Sequence, residues 1–140
     1  MIKVLFDTNV LLDIALDREP FAEHSIKAFQ LKSSGKIQIY VNVLTVINTH
    51  YFIRKEKDKI KAKEFVVELL KLVDLAEINE QIIVKAFKSE FPDFEDAVQE
   101  YSAIQSELEV ILTRNTKDFK HSQLKVLTPM EFIHWFEKTT

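Results

Sequence analysis

The stretch Lys3-Val4-Leu5-Phe6-Asp7-Thr8-Asn9-Val10-Leu11-Leu12-Asp13 decides the fold. A short apolar run stops at an acid, two small polar residues follow, and apolar residues then recur at helical spacing. The pattern predicts a strand over Ile2–Phe6 and a helix over Val10–Ala15. The same figure repeats along the chain. Ile37-Gln38-Ile39-Tyr40-Val41-Asn42-Val43 alternates with period two and reads as a second strand. Val110-Ile111-Leu112-Thr113 reads as a third, and Leu75–Ile78 and Val126-Leu127 as short ones. Between them lie helical segments. One is opened by Pro20 and runs to Leu31; others run from Thr45 to about residue 55, over Lys59–Val73, Glu80–Ser89 and Asp93–Glu107, and over Met130–Lys138 behind Pro129. Short apolar strands alternating with helices imply a three-layer α/β/α domain around a mostly parallel sheet of four or five strands.

The 140 residues suit a single domain over residues 1–140, and 46% hydrophobic with 29% charged residues is an ordinary globular composition. The chain has no cysteine, which excludes disulfides, thiolate metal sites and a thiol nucleophile. A single glycine, Gly35, excludes the glycine-rich loops that cradle nucleotide phosphates. The opening apolar run is too short for a signal peptide, and no stretch nears the 18 apolar residues that suggest a membrane span. These features predict a cytoplasmic protein without a membrane partner.

Ligands of parallel sheets bind outside the carboxyl ends of the strands. Three such ends carry polar or acidic groups: Asp7-Thr8-Asn9, then Asn42 to Thr45, then Thr113-Arg114-Asn115-Thr116-Lys117-Asp118. Asp7 also suits a helix N-cap, and Thr45 reads as the N-cap of its helix, with Asn48 three residues on and on the same side. Asp93-Phe94-Glu95-Asp96 puts three carboxylates at a helix start. Acids there complement the helix dipole, but one or two suffice for that. Asp93 and Asp96 share a face, and adjacent carboxylates repel unless a proton or cation lies between them. A hard cation such as Mg²⁺ needs few protein oxygens, so Asp7, Asp96 and Asp93 are the candidate metal ligands. Asn48 could add a carbonyl oxygen without charge.

The ordered set Val4–Asp13, Thr45-Val46-Ile47-Asn48, Asp93-Phe94-Glu95-Asp96-Ala97 and Ile111–Phe119 resembles the PIN-domain family. It is most like the small bacterial single-domain kind that includes VapC-type toxins. The resemblance spans nearly the whole chain, from strand one to Leu127-Thr128-Pro129. It implies a ribonuclease that hydrolyses RNA phosphodiesters with Mg²⁺ or Mn²⁺, a homodimer, and a small antitoxin partner. Asp7 matches the family's first acid and Asp96 its third. Asn48 stands where Glu is usual, and Asn115 where Asp is frequent. These two amides remove about two negative charges from the site. The implied catalytic set is Asp7, Asp96, Asn115 and Asp118. Thr8, Asn9, Asn48 and Thr113 would orient the acids by hydrogen bonds. Arg114, Lys117 and Lys120 would contact phosphates. The alternative is a PIN fold with a weakened or lost active site that binds RNA or a protein partner.

Overall fold

A computed structural model describes residues 1–139. Five parallel strands, β1 (Ile2–Phe6), β2 (Ile37–Asn42), β3 (Asp74–Ala76), β4 (Val110–Leu112) and β5 (Lys125–Leu127), lie in the order β3-β2-β1-β4-β5. The helices are α1 (Thr8–Ala15), α2 (Ala22–Gln30), α3 (Val43–Glu56), α4 (Lys59–Leu72), α5 (Glu80–Lys88), α6 (Phe94–Gln105) and α7 (Pro129–Thr139). Two short 3₁₀ turns occupy Leu31–Ser34 and Thr116–Phe119. The expected three-layer α/β/α architecture is present. No helix among the described residues is long and apolar enough to cross a membrane.

β1 is central because its side chains are apolar on both faces, as a doubly covered parallel strand requires. Val4 and Phe6 join Ile37, Ile39, Val41, Val110 and Leu112 in a core closed by α1, α2, α4 and α7. Leu5 and Ile111 point the other way, toward Ala103 of α6 and Phe119. Phe132 and Phe136 of α7 are core residues and Trp135 packs beside them, as their helical spacing suggests. Leu12, Ile53 and Ala62 pin the α3–α4 hairpin against α1. The basic stretch 54–63 turns the corner of that hairpin and is exposed apart from Ala62.

Several boundaries differ from the sequence reading, among them those of α3, α2 and β3. Thr45 does not cap α3. Asn42 does, its Oδ1 accepting from the Thr45 N–H at 2.8 Å, so the helix starts at Val43 and Thr45 lies buried in the first turn. Asn is a stronger cap than Thr, and it sits where the strand ends. Pro20 precedes α2 rather than opening it, because Phe21 N–H and Ala22 N–H both donate to the Arg18 carbonyl in a turn. β3 begins at Asp74 and ends at Ala76. Pro129 does open α7, behind a reciprocal box in which Thr128 N–H donates to Glu131 and Glu131 N–H to the Thr128 hydroxyl.

The strand order positions the site. From β1 the chain steps outward through β2 and β3, then returns to lay β4 on the opposite side of β1. The helices that follow β1 and β4 diverge at this reversal and leave a crevice at the carboxyl edge. Asp7 follows β1 and Thr113 follows β4, so the fold delivers both to that crevice.

Candidate active site

A cavity of about 280 Å³ opens at the crevice. Asp7, Thr8, Asn9, Leu12, Leu44, Thr45, Asn48, Phe52, Asp93, Glu95, Asp96, Gln99, Asn115 and Asp118 line it. Residues more than a hundred positions apart in sequence are thus collected by three strand ends and the first turns of α1, α3 and α6.

Asp7 is the anchor. It is 7% exposed and caps α1, its Oδ1 accepting from Thr8 N–H at 2.7 Å. Capping and site membership therefore coexist in one side chain. Gln99 Nε2 donates to the same oxygen at 2.6 Å, and the Thr113 hydroxyl donates to Oδ2 at 2.7 Å. Three donors fix the carboxylate's orientation before any ligand arrives. Thr113 reaches Asp7 through its hydroxyl, and Thr8 does so through its backbone N–H.

Gln99 is absent from the sequence reading. Its signal is the same three-residue spacing that links Asp93 to Asp96: Asp96 and Gln99 share a face of α6. Gln99 Oε1 is buried with no hydrogen-bond partner, although its amide is held by Asp7. Glu100, also unforeseen, is buried and fastens the loop before β5 by accepting from the Ser122 hydroxyl and Gln123 N–H.

Asp93 caps α6, accepting from Asp96 N–H at 3.0 Å. Asp96 lies one turn in, half-buried. Burial raises its carboxyl to about 7, helped by the negative charges of Asp7, then Asp93, Asp118 and Glu95. No basic side chain from the described residues lines the cavity to offset them. A raised carboxyl is protonated in the folded protein at pH values where the unfolded chain has released its proton. The contribution of Asp96 to stability is therefore fully present below about pH 4 and is lost as pH rises to about 7. Asp96→Asn removes that penalty. In chelator-treated buffer at pH 8 the variant is expected to be more stable than wild type by about 1–2 kcal/mol, a value discounted for solvent screening. The two should converge near pH 4. Chemical denaturation across this range checks the sign, and equal stability at pH 8 would contradict it.

The structure also shows which predicted residues stand apart. Asn48, Asn115 and Asp118 reach the cavity wall. Arg114 does not line it. Its guanidinium makes a two-pronged contact with Asp13, at 2.7 and 3.2 Å, and lies 4.0 Å from the centre of the Phe21 ring. Asp13 is fully buried; burial raises its carboxyl and Arg114 opposes the rise. Lys117 and Lys120 are exposed, in and just after the short turn that carries Asp118. Among the described residues, no three His, Asp or Glu side chains form a ready-made metal cage. Asn48 and Asn115 add amides, not carboxylates, to the cavity wall.

Residues 3–117 match the PIN domain. The chain belongs to the PIN-domain family. It is 28% identical over 135 residues to ribonuclease VapC1 of Aquifex aeolicus (strain VF5), an alignment covering 93% of this chain and 92% of that protein. Among solved structures, this PIN domain resembles DNA-bound VapBC from Salmonella typhimurium, with a TM-score of 0.70 at 16% identity over 92% of this chain and 99% of that one. A toxin–antitoxin complex from Klebsiella pneumoniae gives 0.68 at 24% identity, over 90% and 97%. At these identities the structural likeness speaks to the fold alone. The acidic crevice of this PIN domain is read from its own residues.

Proposed function

We propose that this PIN domain is a divalent-cation-dependent endoribonuclease that acts as the toxin of a toxin–antitoxin pair. One observation carries the reading. Five carboxylates, those of Asp7, Asp93, Glu95, Asp96 and Asp118, face one cavity with no cation of the protein's own among the lining residues. Such a cavity repels a phosphodiester unless positive charge is brought in. Its other polar donors, Asn48, Asn115, Thr8 and Gln99, also offer oxygen. An all-oxygen set suits Mg²⁺ or Mn²⁺ over softer metals. The unpartnered Gln99 Oε1 adds a buried acceptor beside Asp7. The similarity to ribonuclease VapC1 along almost the full chain supports RNA as the substrate.

Asp7 and Asp96 would hold the ion. Asp93, Asn48, Asn115 and Asp118 would complete its surroundings directly or through water, a sparse protein shell that suits Mg²⁺. A cation held there would supply Lewis-acid polarisation of the phosphate and lower the pKa of a water so that hydroxide is available for attack. The protein's own contribution is positional. Gln99, Thr113 and the Thr8 N–H keep the Asp7 oxygens aimed. Asp96, raised to about 7, gives up its proton readily near neutral pH when positive charge arrives. Lys117 and Lys120, exposed in and just after the turn that carries Asp118, would meet phosphates. Pairing with a small antitoxin, and a homodimer, complete the proposal. The presence of a toxin–antitoxin complex among the structural neighbours supports the former.

Asn48 and Asn115 favour a second reading, a PIN module that retains RNA or protein binding without cleavage. Calorimetric titration with Mn²⁺ decides between them. The proposal expects heat of binding at or below about millimolar metal, given the few charged ligands, together with cation-dependent cleavage of single-stranded RNA that a chelator stops. A folded protein that binds no cation is the module. Growth arrest on expression, relieved by a short reading frame beside the gene, would identify the antitoxin.

A further inference from the structure

A second concavity, a groove of about 470 Å³, adjoins the acidic cavity and shares Asn115 with it. Its chemistry is the opposite. None of its lining residues is acidic. Phe21 and Met130 supply exposed apolar walls, and His24 and Arg114 the basic groups. Ser25 also lines it, fully buried, with a hydroxyl that has no hydrogen-bond partner.

We propose that this groove holds one unpaired base of the RNA next to the scissile phosphate, and so sets a sequence preference for cleavage; this rests on the ribonuclease reading above. The size lies in the range of small-ligand sites, which are mostly apolar with a few fixed polar groups. Arg114 is already built as a stacking plane. Asp13 fixes it through two hydrogen bonds, Phe21 covers the guanidinium at 4.0 Å, and 26% of its side chain remains accessible. Unpaired RNA bases are recognised by stacking on aromatic rings and guanidinium planes, with hydrogen bonds to their edges. Ser25, His24 and Asn115 supply those bonds. A buried hydroxyl without a partner costs stability unless a ligand satisfies it, and a base edge would do so. Continuity through Asn115 favours RNA over a protein segment, because one strand can lie across both concavities. The groove also lacks the carboxylates that repel a polyanion.

The test uses non-cleavable 2′-substituted hexamers that differ in one base beside the central phosphate. Binding is read by fluorescence anisotropy with Mg²⁺ present. Wild type is expected to show a spread in Kd of about fivefold or more among the four bases, the scale of one edge hydrogen bond gained or lost. Ser25→Ala, which removes an edge hydrogen bond, and Met130→Trp, which fills the groove, should collapse the spread to under about twofold. Ser25→Ala removes an unpartnered hydroxyl and should fold at least as well as wild type. Met130 is half exposed, so Trp blocks the groove without disturbing the core. Thermal melts of both variants confirm folding. Equal Kd values for all bases in wild type, a spread unchanged in both variants, or no RNA binding at all overturns the proposal. Groove protection by a protein partner with RNA binding insensitive to Met130→Trp also overturns it and assigns the groove to that partner. RNA cleavage without base preference sinks the subsite but leaves the nuclease standing. Base-dependent binding without cleavage sinks the nuclease but leaves the subsite.

Discussion

Asp7→Asn is expected to abolish RNA cleavage while leaving the protein folded. The amide oxygen can still accept from Thr8 N–H and Gln99, so the α1 cap survives. The Thr113 hydroxyl, which now donates to Oδ2, can rotate to accept from the new amide nitrogen. What disappears is the charge that would hold a cation. Loss of an outer partner of a metal site costs roughly 10–100-fold in affinity or activity, and loss of an anchoring carboxylate should exceed that. Asp96→Asn should act in the same direction, and the double variant should be no worse than the poorer single, because the two serve one ion. Cleavage assays with calorimetric titration check both. Retention of activity above about a tenth of wild type in Asp7→Asn would contradict the site assignment. Asp96→Asn carries the added signature of higher stability without metal. Gaining stability while losing activity marks a residue kept for function.

The second large effect concerns Arg114. Arg114→Ala strips Asp13 of its two-pronged partner and leaves a fully buried carboxylate. Breaking a buried pair from one side costs about 3–5 kcal/mol. For a chain of this size that corresponds to a fall in Tm of roughly 10–20 °C. The loss should depend on pH with a definite sign. Burial already raises Asp13, and without Arg114 it rises further. A raised carboxyl keeps its stability below the unfolded value of 3.8 and loses it as pH climbs toward the folded value. Arg114→Ala should therefore be closest to wild type in acid and furthest from it at neutral pH. Asp13→Ala in the Arg114→Ala background should recover part of the deficit, since it removes the stranded charge. Thermal melts of the four proteins at two pH values give the answer. A Tm for Arg114→Ala within a few degrees of wild type at pH 7 would show that the pair does not secure α1 to the end of β4.

Arg114 also shows where linear reading reaches its limit. Its position after β4, among Asn115, Lys117 and Asp118, suggests a phosphate contact. In the fold it is bound to Asp13 across the end of the sheet and covered by Phe21. Nothing local marks that pairing, since the two partners lie 101 residues apart. Gln99 was hidden for the same reason. Its spacing from Asp96 was visible, but its partner Asp7 lies 92 residues away. Thr45 yields the cap position to a nearer competitor. Asn42 offered a better cap at the strand end and released Thr45 into the cavity wall.

The sequence by itself determined the order of strands and helices, because period two and period 3.6 are local properties of the chain. It also determined that Asp7, Asp93 and Asp96 lie at element ends, since Asp and Asn cap helices through bonds to N–H groups within three residues. The tertiary structure alone decided which capping residues share a site. Asp58 and Asn79 cap α4 and α5 by the same chemistry and lie outside the cavity. The reversal of strand order beside β1 makes the difference. It brings Asp7, Thr113 and the first turn of α6 to one crevice, where their charges act on each other through a poorly solvated interior.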